Sequence, residues 1–164
     1  VCAKGPAKGG GARSREAVAW RVMLRKDNEF SRVKVGFDGR VHKTFRGSNA
    51  AQRFETEVAV LRHLEERGCD YVPRLLASDP STLTIVTSNC GQRATTISQH
   101  KARELFAALE RDYGVRHEDA FPRNITYDRQ SGRFCVIDFE FASLVDENGD
   151  LLPGGVSLKV PGKG

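Results

Sequence analysis

His117-Glu118-Asp119-Ala120-Phe121-Pro122-Arg123-Asn124 carries the spacing H-x-D-x-x-x-x-N, and Asp138-Phe139 follows after one further hairpin pattern. At ordinary residue usage that triple arises by accident in about a percent or two of chains this long, so it is read as one unit. Asp138 closes the apolar run Phe134-Cys135-Val136-Ile137. An acid at the end of a strand, facing a loop, is a good place to hold a metal. Taken singly, Asp119 and Asn124 are ordinary loop and turn formers. Their order and spacing carry the argument.

The chain that must position these groups has 164 residues, enough for one core. Residues 20–24 alternate well enough for a strand, and residues 33–35 and 41–45 are period-two segments around Asp38-Gly39, a strong turn signal. A three-stranded antiparallel meander is expected. Asn49 followed by Gln52 can cap a helix whose apolar positions Phe54, Val58, Leu61 and Leu64 recur at three to four residues, and which stops at Gly68. Two short strands are expected at residues 74–77 and 83–87, around a turn at Asp79-Pro80-Ser81. Further on, Ala102, Leu105, Phe106 and Leu109 mark a second amphipathic helix ending near Gly114. Residues 124–127 and 134–137 then flank a five-residue turn, 128–132, as a hairpin.

With these elements in place, the sequence resembles the protein-kinase-like superfamily. His117, Asp119, Pro122 and Asn124 match its catalytic loop H-R-D-L-K-P-x-N, and Asp138-Phe139 match the first two residues of D-F-G. Lys43 stands on the third strand, where the family's nucleotide-binding lysine belongs, and Glu57 matches its helix glutamate. The resemblance covers about residues 20–142. It implies an α+β protein-kinase-like fold over residues 16–152: a five-stranded antiparallel small lobe with one helix (about 18–88), a hinge (about 88–91) and a reduced large lobe of one main helix and a β-hairpin (about 92–152).

The resemblance also implies the ligands and the roles. ATP would be gathered by the Lys43 ammonium, itself held by Glu57, with Val33 among the residues covering the nucleotide and Ser88, Asn89 and Cys90 in the hinge meeting the adenine edge. Mg²⁺ takes hard oxygen ligands, and Asp138 with the amide oxygen of Asn124 is a reasonable protein share. Asp119 would accept or orient the proton of the attacking hydroxyl, and His117 would be a buried scaffold for the loop.

Several positions depart from the family pattern. Laid on G-x-G-x-x-G-x-V, the stretch 26–33 has Lys26, Asn28 and Ser31 at the glycine positions, and only Phe30 and Val33 agree. Phe121 replaces the catalytic-loop lysine, Glu140 replaces the glycine of D-F-G, and too little chain follows Asp138 for the usual peptide-binding helices. These features are similar to the choline- and aminoglycoside-kinase branch in motif and to the RIO type in economy. The expectation is an ATP- and Mg²⁺-dependent phosphotransferase with an unknown hydroxyl acceptor, on a protein or a small molecule. The alternative is a pseudokinase that binds nucleotide or a partner protein.

Charge supports this class over a nucleic-acid binder. The net charge is +5, but Lys4, Lys8, Arg13 and Arg15 stand in residues 1–15 with no acid, and Lys159 and Lys163 in the C-terminal stretch, leaving the middle near neutral. Half of the 16 glycines fall in the same ends, so residues 1–15 and 153–164 are expected to be disordered tails. Cys2, Cys69, Cys90 and Cys135 show no C-x-x-C pair. Cys69, Cys90 and Cys135 read as reduced thiols of a cytoplasmic protein, while Cys2 stands in the tail and is uninformative. No apolar run approaches the about 20 residues of a membrane span, and no secretory signal is evident at the start, although a chain beginning at Val1 leaves a removed leader open.

Overall fold

The computed structural model describes residues 23–153. It is an α+β fold with a five-stranded antiparallel sheet and two helices. The strands of the sheet are β1 (Met23–Asp27), β2 (Ser31–Val35), β3 (Val41–Phe45), β4 (Leu75–Asp79) and β5 (Thr84–Thr87), in the order β1-β2-β3-β5-β4. β3 is central, with Lys43 opposite Val33 on one side and Ile85 on the other. Alternation along β3 buries Lys43 and Phe45 on one face and leaves His42 and Thr44 half-buried on the other.

Between β3 and β4 runs α1 (Ala50–Glu66), whose expected apolar stripe Phe54, Val58, Leu61 and Leu64 is buried. The helix packs on β3, β4 and β5, and Leu61 and Leu64 each supply about 1.5–3 kcal/mol by leaving water. Its start differs from expectation. Asn49 adopts a left-handed backbone (φ 54°) and its side chain caps nothing, so no capping box forms with Gln52. The chain leaves β3 through Gly47, also at positive φ, and this turn rather than the side chain sets the entry into the helix.

After β5 the chain forms β6 (Gln92–Arg93), α2 (Gln99–Tyr113), β7 (Val115–His117), a 3-10 turn (Pro122–Asn124), β8 (Ile125–Asp128), β9 (Arg133–Val136) and β10 (Ala142–Leu144). Ser98 caps α2 by accepting from the Lys101 N–H, and Gly114 ends it in the left-handed region. A side chain there would also meet Val145 O at 2.8 Å. The region after β5 is therefore richer than one helix and one hairpin. β6 extends the β8–β9 hairpin to three strands, and β7 pairs with β10. The hairpin turn is shorter than expected, because Asp128 pairs with Arg133 and leaves only residues 129–132 as loop.

One continuous core joins the two parts, from Phe45, Phe54 and Leu64 to Leu109, Ile125, Val136 and Phe139. His63 on α1 links to the end of α2 by donating to Tyr113 O at 2.7 Å. The described part of the first expected strand runs into the polar stretch, taking in Lys26 and Asp27; Trp20 lies outside the described residues. So do the expected tails, Pro153 apart. Among the described residues no helix is long and apolar enough to cross a membrane.

Candidate active site

A cavity of about 850 Å³ opens between the sheet, α1 and the loops that follow β5, β7 and β9. Every expected site residue lines it: Val33 and Lys43 from the sheet, Glu57 from α1, Ser88, Asn89 and Cys90 from the linker after β5, and Asp119, Asn124 and Asp138 beyond.

Lys43 is the centre of its charge network. Its Nζ lies 2.6 Å from Glu57 Oε2, 2.5 Å from Asp138 Oδ1 and 3.4 Å from Glu140 Oε2. Burial works against the ammonium, but Asp138, Glu57 and Glu140 together outweigh it and hold its pKa well above the lysine norm. Asp138 is shifted the opposite way: burial would raise it, yet Lys43 and then Lys26, at 3.6 Å, draw it far below the carboxylate range. Burial pushes Glu57 up to about 7 against the pull of Lys43.

Arg53 and Glu140 are parts of this network that sequence reasoning missed. Arg53 is 2% exposed and donates to Glu140 Oε2 at 3.0 Å, to Phe30 O and Ser48 O at 3.2 Å, and to Arg46 O. It thus ties the β1–β2 turn, the link into α1 and the loop after β9 to one guanidinium. The signal was present: Arg53 is four residues before Glu57 and so shares its helix face, and Glu140 is two residues after Asp138.

The segment from β7 to β8 presents the second group of polar residues. His117 is buried between the rings of Phe106 and Phe139 and donates from Nε2 to Ile137 O at 3.1 Å. Burial lowers its pKa, so it is a neutral scaffold. Asn124 donates from Nδ2 to Asp119 O and Asp119 Oδ2, both at 2.8 Å, which leaves its Oδ1 as an oxygen donor. Arg123 pairs with Asp119 Oδ1 at 2.5 Å and lies over the Phe121 ring at 4.3 Å. A cation thus stands beside Asp119 where the lysine position is occupied by Phe121.

Two expectations meet competing bonds. Around the glycine-poor β1–β2 turn, Asn28 Oδ1 accepts the Phe30 and Ser31 N–H groups, so those amides are already engaged, and Lys26 reaches Asp138 instead. In the linker, the Ser88 N–H donates to Arg74 O at 3.0 Å. Gly91 next to it has φ 81°, and any Cβ there would fall 2.1 Å from Tyr127 O, so only glycine lets the linker lie against β8.

Oxygen donors for a hard cation are at hand. Asp138 and Asn124 Oδ1 have the donor chemistry that suits Mg²⁺. The carboxylates of Glu57, Asp138 and Glu140 also gather within 4.8 Å, but Lys43 and Arg53 already neutralise that cluster. Their arrangement can fix an ammonium, present an acid at a cavity wall and hold a cation beside both. No protein-family model matches the chain, and no curated protein matches it by sequence.

Proposed function

We propose that this chain is an ATP- and Mg²⁺-dependent phosphotransferase of protein-kinase-like fold, acting on a hydroxyl acceptor. One observation carries the reading: residues chosen by motif from stretches far apart in sequence line one cavity, with Lys43 Nζ between Glu57 and Asp138. Phosphoryl transfer needs positioned charge more than covalent chemistry, and this is what these residues supply. Lys43, kept charged by its carboxylates, binds phosphate oxygens, and Glu57 keeps it in place. Mg²⁺ would be held by Asp138 and Asn124 and, when bound, neutralises charge on the phosphates. Asp119 takes the proton of the acceptor hydroxyl as its oxygen bonds to the γ-phosphorus and the bond to the bridging oxygen breaks, releasing ADP. Arg123, paired with Asp119 Oδ1 at 2.5 Å, orients it for that step.

The second reading, a nucleotide-binding module without turnover, draws support from Asp119, both of whose carboxylate oxygens already accept hydrogen bonds. Transfer from γ-labelled ATP, to the chain itself or as released phosphate, separates the two. Turnover by the wild type, reduced about 10²–10⁴-fold in Asp119→Ala, is the expected result. Calorimetric binding of Mg-ATP with equal, background-level turnover in both proteins establishes the binding module instead, and absence of binding overturns both.

A further inference from the structure

A second lysine reaches the cavity from the edge of the sheet. β1 carries one extra residue, Arg25, between Leu24, which stands opposite Lys34, and Lys26, which stands opposite Val33. A bulge of this kind changes which residues of a strand face the cavity. Lys26 thereby joins Val33, Lys43 and Ile85 in one cross-strand row, and all four line the cavity. Lys26 Nζ lies 3.6 Å from Asp138 Oδ2, while Lys43 Nζ lies 2.5 Å from Asp138 Oδ1. Two ammoniums thus grip the two oxygens of one carboxylate. Their settings differ, because the Lys43 side chain is 8% exposed and also held by Glu57, whereas that of Lys26 is 41% exposed.

We propose that Lys26 is a phosphate-binding residue, which together with Lys43 clamps the polyphosphate tail of a nucleoside di- or triphosphate; the identity of this ligand rests on the phosphotransferase reading above. The β1–β2 turn does not offer its amides for that task. The Phe30 and Ser31 N–H groups donate to Asn28 Oδ1 at 3.0 and 2.8 Å, and the Asn28 N–H donates to Ser31 O at 3.1 Å. Turning them to a ligand would undo the turn's own bonds. A compact ammonium on a flexible four-carbon stem supplies the charge instead.

The surroundings of Lys26 favour an anion. Its neighbour Asp27 is already paired with Arg32 at 3.0 Å and with Arg46, so that acid is offset. A phosphate, like the carboxylate now between the two lysines, presents several oxygens to donors on different sides. On exchange Lys26 trades Asp138 for phosphate oxygens, Asp138 keeps Lys43, and the released Oδ2 becomes available to a hard cation. Lys26 meets the cavity at its Asp138 wall, so it serves the outer phosphates and leaves a nucleoside monophosphate untouched.

Calorimetric titration of the full chain with Mg-ATP, Mg-ADP and AMP tests this. Lys26→Gln should weaken Mg-ATP and Mg-ADP about 10-fold or more while AMP stays within about twofold, and Lys26→Arg should recover most of the loss. Lys34→Gln removes the same charge from β2 at the position after Val33, on the other face of the sheet, and should bind all three ligands as the wild type does. Equal or tighter binding of Mg-ATP by Lys26→Gln would mean that Lys26 only neutralises Asp138, and it overturns the proposal while the phosphotransferase reading stands. A loss that AMP or Lys34→Gln shares overturns it in the same way. A wild type that binds no nucleotide overturns both.

Discussion

Two carboxylate–arginine pairs behave as opposites, one joining residues 87 positions apart and the other residues four apart. Glu140 and Arg53 have side chains only 5% and 2% exposed, whereas Arg123, the partner of Asp119, is 49% exposed. The chemical groups are the same, and burial assigns their work. The buried pair is a joint: its charges are costly to desolvate and tolerable only because Lys43 and three backbone carbonyls complete the network. In the other pair only the arginine is open, since Asp119 is buried and also bonded to Asn124, yet the acid still lines the cavity.

The largest effect should follow from breaking the buried joint. Arg53→Met leaves buried Glu140 with only the longer Lys43 contact and removes the donors to Phe30, Arg46 and Ser48, so urea denaturation should show a loss of about 3–5 kcal/mol. A loss below about 1 kcal/mol would erase the contrast between the two pairs.

An intermediate effect is expected on pH dependence, where Glu57→Gln sharpens the contrast. Glu57 has its pKa raised from 4.5 to about 7, so between those values the native chain holds a proton that the unfolded chain has released. Stability should therefore fall as pH rises from about 4.5 through about 7 in the wild type, and this slope should be absent from the Gln variant. Asp138 works with the opposite sign, since its depressed pKa contributes stability that is lost as pH falls below the carboxylate range. Parallel stability–pH curves for wild type and Glu57→Gln would show that burial does not govern the carboxylate.

The smallest effect belongs to the pair whose arginine is open. Arg123→Ala should change stability by only about 0.2–1 kcal/mol in the same denaturation experiment. A loss as large as that of Arg53→Met would mean that Asp119 is also a structural joint.

What the sequence made legible follows the same division. Period-driven elements were readable, because α1 and the β2–β3 hairpin bury stripes that their own spacing declares. The site residues implied by the family resemblance all line one cavity, although much of the rest of its wall was not expected. Strands β6, β7 and β10 were not, since two or three residues carry no period and are strands only because a partner pairs with them. Asn49 had the right chemistry for a cap, but its left-handed backbone turned the side chain away from that task. Arg53 and Glu140 were overlooked for another reason: their positions near Glu57 and Asp138 were visible, but charged side chains usually point to water, and only the fold reveals that these two face each other.

The stretch from residue 137 to residue 141 spans β9 and β10, and β10 is zipped to β7 at His117, immediately ahead of Asp119. Asp138 thus rides on an arc anchored at both ends, held further by its own positive φ of 69° and by Lys43. An arc so short has little slack, so Asp138 is held at the cavity wall from both ends.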